Sequence, residues 1–260
     1  MSHFIVGVIV KELEDLEKAL APYQENNMGD CPEEFLEFFD REDDIGEEYA
    51  TSEEAKNYGS LEEFAEGFYG YGEVDEKTGR YGYWENPNAK WDWYMVGGRW
   101  HSQLIVDSKV EDFITGSRSW ASNDDAPSIV GFRHVDGARI KDIRFDEMEK
   151  ESKKMWEESW KKYKKGLKEG KLPKESLDFI HDVPPNITTK KDYLASKNFS
   201  FSIYAVITAD GVWHGCGEMG WFAMSFESED EKEIWEKTYM DRFIKSANPD
   251  HYLIIVDCHI

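Results

Sequence analysis

The sequence predicts an α+β fold: a single mixed or antiparallel sheet flanked by helices, with a long aromatic-rich insertion. Three observations predict it. Phe4–Val10 is a continuous apolar run rich in β-branched residues, as expected of a buried central strand. Residues 201–208 and 212–214 read as strands on either side of Ala209-Asp210-Gly211, a hairpin turn. Residues 252–257 form another apolar strand at the far end of the chain, and the two end strands are expected to be central neighbours. Residues 1–260 then form one α+β domain, with an acidic segment at 11–76 and a helical insertion and connector at 146–198.

Each intervening element has its own signal. Leu13, Leu16 and Leu20 recur at helical spacing after the first strand. Phe35, Leu36, Phe38 and Phe39 predict a short helix within an acidic, turn-rich stretch. Ser60 followed by Glu63 is a capping-box pattern and predicts a helix running to about Gly67. Asp75–Gly79 reads as a hairpin turn, residues 103–106 as a strand, and 107–138 as a loop region with one short element. Trp156, Trp160, Tyr163 and Leu167 form the apolar stripe of a helix from Asp146 to Glu169. Pro173, Pro184 and Pro185 mark a connector carrying one small helix, and Asp230 to Ser246 reads as a last amphipathic helix.

Charge narrows the function classes. The 260 residues carry a net charge of −23, and residues 11–76 hold 23 Asp/Glu against four Lys/Arg. Phosphate backbones are held by clustered cations that release counterions, so general nucleic-acid binding and docking on anionic membrane are disfavoured. The exception is 150–174, with ten Lys against four Glu. It reads as a solvated helix face, or as a surface for the acidic segment or a polyanion. Cys31, Cys216 and Cys258 are odd in number and lack a CxxC pair, which suits reduced thiols in a cytosolic protein. No run approaches the roughly 20 apolar residues of a membrane span, and Phe4–Val10 lacks a basic leader. The expected location is the cytoplasm.

The densest block is Trp84 to Trp100, with four Trp, Asn86-Pro87-Asn88, Gly97-Gly98 and Arg99. Asn-Pro-Asn favours a turn, and the glycine pair allows positive φ or close backbone approach. Aromatic planes stack on bases and a guanidinium holds phosphate in a fork. The block therefore reads either as a nucleotide-type pocket or as a structural turn. Arg139 and Lys141 are further candidate cations for such a pocket. Gly215 to Gly220 formally matches GxGxxG, but no helical stripe follows, so a turn or bulge is the better reading. Asp257 and His259 share one face of the last strand, with Cys258 on the other. With His214 and Cys216 they invite a metal reading, yet HExxH and CxxC spacings are lacking, and neither metal nor cofactor is expected. GxSxG and P-loop motifs are missing too.

Tyr81 to Tyr94, Gly97-Gly98-Arg99-Trp100, Ala138 to Ile143, Gly217 to Trp221 and Val256 to Ile260 occur in this order. Together they resemble a family of proteins from phages, prophages and their bacterial hosts that has no established activity. The resemblance implies a phage setting, hence the bacterial host cytoplasm.

Three functional readings follow. The first is a small-molecule-binding protein that sequesters a nucleotide-derived immune signal, a cyclic oligonucleotide or ADP-ribose derivative, without turnover. Arg99 would hold phosphate with help from Lys90, Arg139 and Lys141, while Trp91, Trp93, Trp100 or Trp221 would stack on the base. The second is a nucleotide-processing hydrolase using His214, Glu218, Asp257 and His259. The third is an acidic inhibitor that docks through 11–76 on a basic host enzyme. Homo-oligomerisation is compatible with the aromatic content.

Overall fold

A computed structural model describes residues 3–71, 74–120, 128–168, 187–197, 202–217 and 228–260. Among them the strands are β1 (His3–Val10), β2 (Glu37–Asp40), β3 (Gly82–Glu85), β4 (Trp93–Gly98), β5 (Leu104–Asp107), β6 (Phe113–Ile114), β7 (Ser117–Arg118), β8 (Phe132–Val135), β9 (Gly137–Arg139), β10 (Ala205–Ile207), β11 (Trp213–Gly215) and β12 (Tyr252–His259). The α-helices are α1 (Leu16–Leu20), α2 (Glu42–Thr51), α3 (Leu61–Phe64), α4 (Phe145–Lys168), α5 (Lys190–Ala195) and α6 (Glu229–Tyr239). The fold is α+β. The described residues pack as two compact units: those of Glu17–Tyr94 and His259–Ile260 form the first, and those of His3–Leu16 and Met95–Cys258 form the second.

The second unit is built on a mixed sheet of order β11-β10-β1-β12-β4-β7, with β9 also on β12 and β6 on β9. The strands from the two chain ends are neighbours at its centre, as their apolar runs predict. β1 pairs parallel with β10 (Val6 opposite Ala205), and β10 turns back antiparallel into β11 (Val206 opposite His214). Gly211, at φ +82°, makes that return possible. β1, β10 and β12 are buried nearly throughout. Ile5, Ile9, Leu253 and Ile255 share a core with Leu104, Val106 and Val135. Trp235 and Tyr239 of α6 close it, and the Trp235 indole N–H donates to the Ile203 carbonyl at 2.7 Å. On α4, Trp160 packs on Tyr193 of α5 with ring centroids 5.1 Å apart, and the lysines of α4 are exposed.

The first unit pairs β2 with β3 antiparallel, Phe39 opposite Tyr83, beside a small core of Ile45, Ala55, Phe64 and Ala65. Ser60 caps α3 by accepting from the Glu63 N–H at 3.1 Å. The Glu63 carboxylate accepts from Gly59 N–H at 2.6 Å, and a π-helical turn continues α3 to Tyr69. The segment expected to be helical around Phe35–Phe39 is one 3₁₀ turn, Glu33–Phe35, followed by β2. Its pairing partner lies more than forty residues away, so local spacing misleads there. The loop region 107–138 holds the short strands β6, β7, β8 and β9, each again satisfied by non-local pairing. Asp75–Gly79 is a turn, closed by Gly79 N–H to Asp75 O at 2.7 Å.

Candidate functional site

Two carboxylates of the second unit are completely buried: Asp136, between β8 and β9, and Asp257, on β12, both with 0% exposure. A charge taken from water needs partners. Asp257 Oδ1 lies 2.7 Å from His3 Nδ1, and its Oδ2 accepts the Arg99 backbone N–H at 2.8 Å. Asp136 accepts the backbone N–H groups of Ser102 at 2.5 Å and Gly116 at 2.8 Å. His101 Nδ1 stands 2.9 Å from Asp136 Oδ2, at ion-pair distance but off the hydrogen-bond direction. Both carboxylates therefore hold one turn, Gly97-Gly98-Arg99-Trp100-His101-Ser102, by its main chain.

The glycine pair is what lets the turn come so close. Gly97 and Gly98 have φ of +78° and +55°. A Cβ on Gly97 would lie 2.8 Å from the Asp136 carboxyl carbon, and one on Gly98 would lie 2.4 Å from Asp257. Side chains there would collide with the carboxylates as well as strain the backbone. Trp100 N–H to Gly97 O at 3.0 Å and His101 N–H to Gly98 O at 3.3 Å close the turn. Ser102 ends it at φ +65°, and its carbonyl lies 3.0 Å from His134 Nδ1.

Among the described residues, three nitrogens of this assembly are buried without a hydrogen-bond partner: Arg99 Nε, His101 Nδ1 and His134 Nε2. A carbonyl only accepts, so the Ser102 contact makes Nδ1 the protonated nitrogen of His134. Among the described residues the Arg99 guanidinium has no ion pair, in a chain with 54 carboxylates to choose from. Buried orphan polar atoms are rare and ask for an explanation.

The other sequence candidates fall in several places. Trp91, in the first unit, is 0% exposed and packs on Tyr23. The Asn86-Pro87-Asn88 block beside it is a structural turn. The Asn86 amide donates to the Pro22 and Gln24 carbonyls, and its oxygen accepts from Asn88 N–H. Lys90 backbone N–H donates to Tyr23 O. Trp93 stacks on His259, whose Nδ1 lies 2.7 Å from Asp92 Oδ1, all within the first unit. In the second unit, Trp100 is half-buried against the core. Arg139 donates to Asp112 and to the Asp250 carbonyl and lies over Tyr252, while Lys141 pairs with the Asp250 carboxylate. Both cations are therefore already neutralised.

His214 stacks on Phe243 with centroids 4.4 Å apart, and burial holds its pKa down. Cys258 is fully buried, and burial first, then the Asp257 charge, pushes its thiol well up, away from thiolate chemistry. Glu218 and Trp221 lie outside the described residues, as does the second half, 218–220, of the Gly215–Gly220 stretch. Among the described residues no group of three or more His, Cys, Asp or Glu is placed to hold a metal ion, and no helix is long and apolar enough to cross a membrane. Sequence reasoning singled out Arg99, the glycine pair and Asp257. It missed Asp136, His3, His101 and His134. No family model matches the sequence, no curated protein matches it and no solved structure matches the fold, so the chemistry of the site rests on its own geometry.

Proposed function

We propose that the Gly97–Ser102 turn binds the phosphate of a small ligand through Arg99. In the phage setting that the sequence resemblance implies, that ligand is a nucleotide-derived immune signal, held and not turned over. The observation that carries the reading is the Arg99 guanidinium, which has no ion pair among the described residues and whose buried Nε has no hydrogen-bond partner there. The carboxylates under the turn are engaged by backbone N–H groups and by the His3 imidazole, which leaves the Arg99 charge unspent. A planar guanidinium offers a fork of donors to phosphate oxygens. The net −23 of the chain does not oppose this, because the local field of a site can differ in sign from the whole.

The test is capture and release. Purified protein is mixed with pyrophosphate, ADP-ribose and cyclic dinucleotides; free ligand is measured before and after heat denaturation. The expected result is a ligand that disappears and returns intact, with affinity falling about 10- to 100-fold in Arg99→Ala, the worth of a charge-assisted hydrogen bond. Unchanged affinity in that variant contradicts the reading.

A second reading has its own observation. Buried Asp257 fixes His3 through Nδ1 at 2.7 Å, the arrangement that orients a general base. In the same assay a hydrolase returns altered ligand, and His3→Gln abolishes the alteration. Full turnover by His3→Gln removes this reading.

A further inference from the structure

We infer that an aromatic ladder in the first unit is a docking surface for an arginine-rich segment of a partner protein. This surface is separate from the Arg99 turn and does not depend on it. Phe39, Tyr83, Tyr71 and Tyr69 stand in series, with centroid spacings of 5.4, 6.0 and 5.7 Å and interplanar angles of 10°, 21° and 13°. Rings in full face contact sit about 3.5–4.0 Å apart. The longer spacings at near-parallel planes mean slipped rings, and Phe39 and Tyr83 keep part of their surface in solvent. Phe39 is 36% exposed, Tyr83 40% and the neighbouring Phe68 46%. Exposed aromatic surface of this kind marks an interaction site.

The chemistry of the occupant follows from charge and from a contrast between the two faces of one hairpin. Phe39 and Tyr83 are cross-strand partners on one face, and Phe38 and Trp84 share the other. On the Trp84 face the chain supplies its own cation: Lys77 Nζ sits 4.6 Å from the ring centroid. On the ladder face no cation among the described residues lies over Phe39 or Tyr83. Residues 17–94 hold 22 Asp/Glu against six Lys/Arg, a net −16. Four of those six cations, Arg41, Lys56, Lys77 and Arg80, are in ion pairs with the unit's own carboxylates.

Carboxylates flank both ends of the ladder. Glu37 is exposed, shares the strand face of Phe39 and has no partner among the described residues. Glu48 accepts the Tyr69 hydroxyl at the other end. A guanidinium stacks on an aromatic face and pairs with a carboxylate in the same plane, whereas an ammonium is a strongly hydrated point charge. Arginine is therefore the side chain this surface selects.

The experiment uses the full chain and two capped fluorescent peptides, one of eight arginines and one of eight lysines, read by anisotropy at low and physiological salt. The expected result is tighter binding of the arginine peptide. Phe39→Ala and Tyr83→Ala, which change no charge, should each weaken it about 3- to 10-fold, the range of one cation–π contact, with the lysine peptide unaffected. Glu37→Gln, an exposed change with no internal partner to lose, should also weaken the arginine peptide, and it carries the test if an aromatic variant fails to fold. Equal binding of both peptides, unaltered by any variant, reduces the effect to net charge and overturns the proposal. No binding at low salt overturns it, and so does a wild-type dimer that Phe39→Ala dissociates, since a second copy would then cover the face.

Discussion

The two units each contain an Asp–His pair with Nδ1 at 2.7 Å from a carboxylate oxygen, yet the pairs do different work. Asp257 in the second unit is fully buried, and its other oxygen holds the Arg99 N–H of a turn that only glycine can bring so close. Asp92 in the first unit keeps 21% of its side chain exposed, and one oxygen serves both His259 and the adjacent Trp93 N–H. Residue types and distances are the same. The difference lies in how much backbone geometry depends on the carboxylate and in whether water can replace it.

The largest expected effect tests that contrast. Asp257→Ala removes the carboxylate that holds the His3 imidazole and leaves the Arg99 backbone N–H without its acceptor, and should cost about 3–5 kcal/mol in urea unfolding. Asp92→Ala should cost about 1 kcal/mol, because Asp92 is itself 21% exposed and water can enter where its carboxylate stood. Equal losses would erase the distinction.

A glycine pair sharpens it. Gly98→Ala combines positive φ with a Cβ 2.4 Å from Asp257 and should cost about 2–4 kcal/mol. Gly211→Ala has φ +82° but open space and should cost about 1–2 kcal/mol. The gap between the two variants measures the close packing of the turn on its carboxylate.

Alkaline pH separates two tyrosines, one in each unit. Tyr252 is pushed up to about 12, first by burial and then by its hydrogen bond to Asp112. Tyr69 is raised to about 12, first by its hydrogen bond to Glu48 and then by burial. A phenol whose pKa is raised on folding contributes stability that is complete below its unfolded value, about 10, and lost as pH climbs through the folded value. Tyr252→Phe should flatten the loss of stability between about pH 10 and 12 in the second unit, and Tyr69→Phe should do so in the first. At the acid end Asp112 runs the opposite way. The Tyr252 hydrogen bond, then Arg139, hold its carboxyl below the usual range, so its contribution is present above about pH 4 and fades as pH falls further. The smallest effect belongs to exposed pairs: Lys56→Gln, beside Glu53, should change stability by less than about 0.5 kcal/mol.

What the sequence revealed follows the same divide between local and non-local causes. β1 and β12 were legible because a central strand is apolar along its whole length, and the β10–β11 hairpin because Asp210-Gly211 names its own turn. β2 was hidden: Phe35, Leu36, Phe38 and Phe39 have helical spacing, and only β3, far along the chain, makes them a strand. β6 to β9 were hidden because two- to four-residue strands carry no period of their own. In the site, Gly97-Gly98-Arg99 stood out because paired glycines beside a cation are rare. Asp136 was camouflaged by the acidic background of the chain. Alternation on β12 put Asp257 and His259 on one face, but it does not choose partners, and each found a different one, His3 and Asp92.

Arg99, without an ion pair among the described residues, is proposed to hold an anion, and its own Nε–H reports on that directly. In ¹H–¹⁵N spectra the Arg99 Nε–H signal is assigned by its loss in Arg99→Lys, and pyrophosphate is then added. The expected result is that this resonance shifts with saturation while those of Arg139 and Arg144, already engaged by Asp112 and by Asp107 and Asp146, stay in place. An Arg99 signal that stays fixed while another arginine moves would contradict it.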